Sequence, residues 1–304
     1  MTHEIILHNY PNSPFSEKIR VAFGIKKLAW RSVVQPVIMP KPDLLPLTGG
    51  YRKIPVMQIG ADIYCDTQII LRELERRFPE PSLSPQNKGA PYAIGFWADR
   101  QVFPAAVAII FGEIGDMVPE DFKKDRAAMS GGGFSSEALK RAVPFMREQY
   151  RAHLAFLSDQ LADGRPFWGG AQPGLADIHA FMNPWFVNSA LPHKAKETTA
   201  EFPLIEAWYE RVKAIGHGTR TDMTPAEALA IAKAATSTAR EAADPNGRKP
   251  GDAVTVAADD YGRDPIAGTL VFSNAQEIAI RREHPAVGEV VVHFPRAGFT
   301  VTAG

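Results

Sequence analysis

The chain has 304 residues, enough for two domains and a smaller third unit at roughly 150 residues per domain. Hydrophobic residues make up 45% and charged residues 22%, which is typical of folded globular proteins and excludes a disordered or fibrous chain. The 34 basic and 34 acidic side chains give a formal net charge of zero, which argues against nucleic acid as a partner, because phosphate-binding proteins carry a basic excess.

Membrane segments and metal sites are also disfavoured by the sequence. The longest uncharged apolar run, residues 102–112, is well short of the roughly 18 residues that a membrane-spanning helix needs. The N-terminus lacks the basic start and apolar run of a secretory signal, so we expect a cytoplasmic protein with no membrane partner. A single cysteine, Cys65, cannot form an internal disulfide, and no cluster of Cys and His has metal-site spacing. We therefore expect no bound metal.

The first 84 residues alternate between strand and helix patterns. Residues 4–8 predict a strand, and the helix that follows has Ser13 at its N-cap and Pro14 at its first position, a strong helix-start signal. Strands are predicted over residues 32–37, 55–59 and 62–65, the last two as a hairpin, and Asp66 caps a helix that runs to residue 78. This order predicts an α/β domain over residues 1–84.

Residues 88–243 change to long helical patterns. We predict helices over residues 92–117, 136–161, 176–188, 203–215 and 225–243. Pro104 falls inside the first of them and should kink it, because proline removes a backbone donor and crowds the preceding turn. Three glycines, Gly131, Gly132 and Gly133, predict a mobile loop between two helices. The second domain is therefore expected to be all-helical.

A linker rich in turn residues, 244–251, precedes a third unit. Strands are predicted over residues 253–256, 268–272, 277–281, 289–294 and 299–302. Five short strands within about 60 residues predict a small SH3-like β-barrel module over residues 251–304. A unit of this size is only marginally stable alone, so we expect it to dock on the rest of the protein, packed on the helical domain, or to bind a protein partner. His293 and Arg296 are interpreted as its polar face.

Five stretches of the sequence resemble one known family. "YPNSPFSEKIRVAF", "RKIPVMQIG" and "CDTQIILRELERRFP" resemble the glutathione-binding domain of the glutathione S-transferase superfamily. "PFWGGAQPGLADIHAF" and "FPLIEAWYERV" resemble the helical domain of that family, so the resemblance covers roughly residues 1–215. It implies a thioredoxin-like first domain, glutathione as cosubstrate, transfer to an electrophilic small molecule, and a homodimer.

The resemblance places Ser13 where related enzymes carry a catalytic serine or cysteine. There its hydroxyl would donate a hydrogen bond to the glutathione sulfur, and the helix dipole would favour the thiolate. The alternative is that Ser13 only caps its helix, with Ser16 and Tyr10 as the next candidates for activating the thiol. Residues 13–16 contain no cysteine, which excludes thiol–disulfide exchange there, and Cys65 is interpreted as a buried filler.

The same resemblance assigns the residues that bind the peptide. Ile54–Pro55 corresponds to the family's cis-proline, which turns the preceding backbone toward the cysteinyl part of glutathione. Asp66 and Thr67 correspond to the pair that receives the γ-glutamyl end, although Asp66 alone is also an ordinary helix cap. Lys53 and Lys41 are candidates for the glycyl carboxylate, although either could be an ordinary surface lysine.

The second substrate would lie between the first two domains. The candidate pocket residues are Tyr10, Phe15, Trp97, Arg100, Gln101 and Phe103. Asp177 corresponds to a structural aspartate of the family's helical domain, where Gly174 replaces the usual Ser or Thr of the capping box. The alternative function is a catalytically weak binding or scaffold protein, built like a glutathione transferase, that acts through its C-terminal β module.

Overall fold

The first domain has the predicted strands and the two predicted helices, together with one short helix, Leu45–Thr48, that the sequence did not predict. The computed structural model describes residues 4–84, 88–132, 134–239, 242, 244 and 246–304. The domain consists of strand β1 (Ile6–Asn9), helix α1 (Pro14–Ile25), strand β2 (Ala29–Val34), helix α2 (Leu45–Thr48), strands β3 (Val56–Ile59) and β4 (Asp62–Cys65), and helix α3 (Thr67–Arg77). β1 pairs parallel with β2 and antiparallel with β3, which pairs with β4. The predicted thioredoxin-like fold is confirmed, although β2 lies earlier than predicted.

The second domain is mainly helical, with two helices and one short strand that the sequence did not predict. It contains α4 (Ala90–Trp97), α5 (Phe103–Ile114), α6 (Glu120–Met129), α7 (Ser136–Leu161), α8 (Leu175–Ala190), α9 (Pro192–Thr199) and α10 (Pro203–Lys213), followed by strand β5 (Thr219–Asp222) and helix α11 (Pro225–Ala234). A π-helical turn, Ala98–Val102, joins α4 to α5, and Pro104 lies in the first turn of α5. The prediction that Pro104 lies inside one continuous α-helix is therefore wrong, because the π turn ends just before α5 begins. The extra helices α6 and α9 are polar and bury almost no side chains, so they lack the apolar periodicity that predicts a helix.

Two predictions in this domain reach residues outside the described part of the chain. Helix α11 ends at Ala234, well before residue 243, and Ala243 itself lies outside the described residues. Gly131 and Gly132 have positive φ angles of 66° and 94° in the turn after α6, which glycine adopts readily, whereas Gly133 lies outside the described residues.

The helical run from Ala90 to Met117 is long and apolar enough to span a membrane by length and composition alone. In the structure, however, its apolar side chains belong to the core of the second domain. Ile109 and Ile110 of α5 share one buried cluster with Leu154 and Leu157 of α7. Burial against other helices therefore accounts for part of its hydrophobicity, since 44% of its most apolar window is buried.

The predicted C-terminal β module is present and extends the sheet of the first domain. Its strands are β6 (Ala253–Ala258), β7 (Ile266–Ser273), β8 (Glu277–His284), β9 (Gly288–Pro295) and β10 (Phe299–Ala303). They form one sheet with the earlier strands, in the order β10-β6-β7-β8-β9-β4-β3-β1-β2-β5. The connection is a parallel pairing of β9 with β4 that places Val292 beside Ile63. This pairing covers what would otherwise be an open edge of the first domain.

The module and the first domain also share one hydrophobic core. Tyr51, from the loop before β3, contacts Phe294 of β9 with ring centroids 6.0 Å apart and Phe299 of β10 at 6.4 Å. The same buried cluster contains Leu44, Leu47, Val56, Ile63 and Cys65 of the first domain together with Val254, Leu270, Ile280, Val290, Val292 and Phe294 of the module. The five strands therefore bury apolar side chains against the first domain, so the prediction that the module packs on the helical domain is wrong.

A buried histidine links the module to the first domain. The Nδ1 atom of His293 lies 2.7 Å from Oε1 of Glu277, and Nε2 lies 3.3 Å from Oδ1 of Asp62 on β4. Asp62 also accepts hydrogen bonds from the backbone N–H and the hydroxyl of Thr238, at 3.0 and 2.8 Å. Burial alone would lower the pKa of His293, but the two carboxylates outweigh it and raise the pKa to about 9. The prediction that His293 belongs to a polar face is therefore wrong: its side chain is buried, and the two carboxylates satisfy its ring nitrogens there.

This ion-paired histidine predicts a pH-dependent stability. Folded His293 keeps its proton up to about pH 9, whereas an unfolded histidine loses it near pH 6.5, so the stabilisation is complete below about pH 6.5 and is lost as the pH rises toward 9. We expect the difference in free energy of unfolding between wild type and His293→Gln to shrink by on the order of 2 kcal/mol over that window. Urea unfolding at pH 6 and pH 9 measures it. His193→Ala, at an exposed histidine of α9, is the matched control, and a difference independent of pH would contradict the assignment.

Candidate active site

Ser13 lies at the N-terminus of α1 and faces a large cavity. Its Oγ accepts a hydrogen bond of 3.1 Å from the backbone N–H of Ser16, so it is the N-cap of the helix. Capping uses only one lone pair of the Ser13 oxygen, so the O–H group can still donate a hydrogen bond to a ligand. Ser13 is buried from solvent but lines a cavity of about 730 Å³ between the first two domains. Capping and donation to a ligand are therefore compatible at this residue.

The two alternative thiol-activating residues differ from Ser13 in position. Ser16 is completely buried, its hydroxyl has no hydrogen-bond partner within the described chain, and it lines neither of the two cavities at the site. Tyr10 lines the large cavity beside Ser13. Burial raises the pKa of its phenol, and the charge of Arg126 only partly offsets this, so Tyr10 stays protonated at neutral pH. Of the three, Ser13 alone combines a cavity position with a helix N-terminus.

A second, small polar cavity adjoins the first and is lined by the expected peptide-binding residues. The peptide bond Ile54–Pro55 is cis, as the resemblance implies. Asp66 is the N-cap of α3 and accepts a 2.8 Å hydrogen bond from the backbone N–H of Gln68. Burial raises the pKa of Asp66 to about 6, so this carboxylate is ionised at neutral pH. Together with Thr67 these residues line a cavity of about 50 Å³, hereafter the polar cleft.

Neither lysine of the predicted site is an ordinary surface lysine. Lys53 lines both cavities, and its Nζ donates to Oδ1 of Asp260 at 2.9 Å and to the carbonyl of Tyr261 at 3.0 Å, both in the C-terminal module. Lys41 is only 2% exposed, donates to the carbonyl of Pro36 and lies over the ring of Tyr10. Burial, together with nearby arginines, lowers the pKa of Lys41 to about 8.

The large cavity is mostly apolar, with a cationic end. Its charged lining residues are Lys41, Lys53, Arg52 and Arg126. Arg126 pairs with the carboxylate of Asp125 at 2.7 Å, and Arg52 pairs with the same carboxylate. The apolar side chains that line the cavity include Phe15, Phe103, Val107, Ile110, Phe111, Phe122, Phe134 and Phe186. A cavity of this size and lining suits an apolar organic molecule.

Three of the six residues predicted for the second-substrate pocket do not line the large cavity. Tyr10, Phe15 and Phe103 line the large cavity, and Arg100 lines the polar cleft. Trp97 lines neither cavity, because its indole donates to Nδ1 of His153 at 3.2 Å and stacks on Trp168. Gln101 is exposed and also lines neither. Both predictions assumed an uninterrupted α-helix, whereas the π turn Ala98–Val102 inserts an extra residue and rotates the helix face.

Several residues of the site have no local motif that would identify them. Asp99, in the π turn, lines the polar cleft and pairs with the buried ammonium of Lys18. Asp260 and Tyr261 come from the C-terminal module, outside the family resemblance. A charged residue within an apolar helical run, as at Asp99, is the one signal in the sequence that could have marked any of them.

Asp177 has the structural role that the sequence predicts. Its carboxylate accepts hydrogen bonds from the backbone N–H groups of Trp168 at 2.6 Å and Gly174 at 3.1 Å, and from the indole of Trp208 at 2.7 Å. A Cβ at Gly174 would lie 2.5 Å from the carbonyl oxygen of Leu83, so this position has no room for a side chain. Close backbone packing therefore explains the glycine in place of the usual Ser or Thr.

Two parts of the chain match known domain families, and the whole chain is similar to a solved structure. Residues 7–82 match the model of the glutathione S-transferase N-terminal domain, and residues 105–220 match a domain of unknown function. The solved structure of a GST-like protein from Pseudomonas syringae is 38% identical, with a TM-score of 0.79 and complete coverage of both chains.

Two curated relatives match most of the first two domains. Glutathione S-transferase U4 of Arabidopsis thaliana is 28% identical over 209 residues, which are 67% of this chain and 81% of that protein. FtsZ-localized protein A of Caulobacter vibrioides is 22% identical over 219 residues, which are 70% of this chain and 88% of that protein. The chain has a thioredoxin-like fold, a cis-proline and full-length similarity to a GST-like structure. It therefore belongs to the glutathione S-transferase superfamily.

Proposed function

We propose that this protein binds glutathione and conjugates its thiolate to an apolar electrophile. The observation that carries the proposal is the position of Ser13, a hydroxyl donor at a helix N-terminus that faces an apolar cavity beside the polar cleft. A thiol at this point receives a hydrogen bond and the positive end of the helix dipole, both of which favour the thiolate. The nucleophile then meets the second substrate in the large cavity.

The polar cleft supplies the complementary groups for the peptide. Asp66, ionised above about pH 6, would pair with the γ-glutamyl ammonium, and the N-terminus of α3 at Thr67 would receive the carboxylate. The backbone before Pro55 would pair with the cysteinyl part, and Lys41 or Lys53 would take the glycyl carboxylate. At about 50 Å³ the cleft is much smaller than typical ligand pockets of roughly 300–1,000 Å³. Binding therefore requires it to widen.

Titration calorimetry with glutathione tests the proposal. We expect saturable binding to the wild type, weakened about tenfold in Thr67→Val, because this near-isosteric change leaves the helix N-terminus without a hydroxyl donor to the carboxylate. Thr221→Val, at a β5 residue distant from the cleft in sequence and outside both cavity linings, is the matched control. No detectable binding at millimolar glutathione would rule out the proposed transferase activity.

A second candidate is a binding or scaffold protein with little or no transferase activity. It is favoured by the narrowness of the polar cleft, which residues of the module cover, and by the similarity to a relative named as FtsZ-localized. An aryl halide assay separates the two candidates: glutathione binding with conjugation supports the transferase, and the absence of both supports the scaffold. A two-fold homodimer in the cytoplasm is part of the proposal, carried from the family.

A further inference from the structure

The loop between β6 and β7 of the C-terminal module reaches across the proposed active site. Asp259 pairs with Arg100 of the helical domain, and Asp260 pairs with Lys53 of the first domain at 2.9 Å. The backbone N–H of Gly262 donates to the carbonyl of Met129, at the end of α6, at 2.8 Å. The loop is therefore attached to both domains that form the site.

Tyr261 is the residue of this loop that lies where the two cavities meet. It lines the polar cleft together with Asp66 and Asp99, and it also lines the large cavity together with Tyr10 and Ser13. Its ring is held in place by the ammonium of Lys53, 4.7 Å from the ring centroid, and its carbonyl accepts from the same ammonium. Within the described residues its hydroxyl makes no hydrogen bond, so its position is set by the ring and the backbone.

We infer that Tyr261 is a ligand-contacting residue that the C-terminal module contributes to the glutathione site. Its ring forms the wall between the polar cleft and the large cavity and contacts the apolar group attached to the glutathione sulfur. The inference rests on the proposed function, because it assumes that the peptide occupies the polar cleft and the electrophile the large cavity. The ligand that Tyr261 recognises is thus a glutathione conjugate or the assembled pair of substrates.

The position of Tyr261 between the two cavities explains why its truncation should weaken some ligands more than others. A ligand confined to the polar cleft meets Tyr261 at one edge, whereas a ligand that spans both cavities passes along the ring. Loss of an aromatic contact of this kind weakens binding by about tenfold. The effect of truncating Tyr261 should therefore be larger for an S-alkylated glutathione than for glutathione itself.

Calorimetry on the full-length protein with glutathione and S-hexylglutathione tests this inference. We expect Tyr261→Ala to weaken S-hexylglutathione about tenfold and glutathione less than threefold, while Tyr261→Phe, which keeps the ring, binds both like the wild type. Tyr261→Trp, which adds bulk at the junction, should weaken S-hexylglutathione more than glutathione. Asp264→Asn is the matched control, because Asp264 is exposed in the same loop and lines neither cavity.

Thermal unfolding identifies variants that do not fold. If the Ala variant does not fold, the Phe and Trp variants, which both keep an aromatic ring, still test the inference. If the Ala and Trp variants weaken the binding of glutathione and of S-hexylglutathione by the same factor, the inference is overturned while the proposed function stands. The same holds if neither variant changes the binding of either ligand. A wild-type protein that binds neither ligand overturns the proposed function and this inference with it. Weakened binding of S-hexylglutathione in the Phe variant as well as in the Ala variant would mean that the ring is not the contacting group, and would overturn the inference.

Discussion

Replacing Ser13 by alanine is expected to lower kcat/KM for glutathione conjugation by about tenfold to a few hundredfold, the value of one hydrogen bond to a charged group. The substitution removes the O–H donor that faces the large cavity and leaves the dipole of α1 in place. It also removes the N-cap, at a cost of about 1 kcal/mol of stability, which unfolding measurements report separately. Steady-state kinetics with a fixed aryl halide and varied glutathione give the result.

Two further variants separate catalysis from capping. Ser13→Thr keeps both the hydroxyl and the cap, so we expect it to retain most of the activity. Ser16→Ala is the matched control, because Ser16 is buried three residues further along the same helix and its hydroxyl has no partner in the described chain. Activity unchanged in Ser13→Ala would transfer the role to Tyr10, and a larger loss in Ser16→Ala would contradict the assignment.

Replacing Phe294 by alanine should destabilise the whole protein by about 3–5 kcal/mol. Phe294 on β9 is fully buried and packs against Phe299, with ring centroids 5.5 Å apart, and against Tyr51 of the first domain. Because the module and the first domain share this core, we expect one cooperative transition at a lower urea concentration. Urea unfolding followed by two signals measures this transition. Every tryptophan lies outside the module, so fluorescence reports the first two domains, whereas circular dichroism reports the whole chain.

Phe145→Ala is the control for this prediction. Phe145 lies on α7 and is 59% exposed, so its removal should change the stability by no more than about 0.5 kcal/mol. If the module were an independent unit, Phe294→Ala would instead produce two transitions, with tryptophan fluorescence unchanged. That result would contradict the shared core.

Local sequence signals predicted most elements of the first domain, although they placed β2 three residues too late and left α2 in a loop. Ser13–Pro14 begins α1, Asp66 begins α3, and the alternation around Gly60 produces the β3–β4 hairpin. Each of these signals acts within a few residues, so it can be recognised without knowledge of the tertiary structure. The same holds for the five strands of the C-terminal module. The expected single buried face is wrong for β7, β8 and β9, because Val271, Ala279 and Val291 form a second buried cluster.

The remaining features depend on contacts between distant parts of the chain. The pairing of β9 with β4 requires two strands whose edges match only in the folded protein. The π turn Ala98–Val102 changed which side chains face the cavities, which explains the wrong predictions at Trp97 and Gln101. Tyr261 joins the site because the loop between β6 and β7 contacts both other domains, and its neighbouring residues in the sequence carry no motif that indicates this.

The thiol pKa of bound glutathione tests the central claim most directly. Thiolate absorbance in the ultraviolet, titrated at saturating glutathione, reports the ionisation of the sulfur in the complex. If Ser13 and the N-terminus of α1 stabilise the thiolate, the bound thiol of the wild type should titrate at least one unit below the roughly 8.5 of a free thiol, and the pKa should rise in Ser13→Ala. A bound thiol that titrates like free glutathione in the wild type, with no change in Ser13→Ala, would contradict the proposed mechanism.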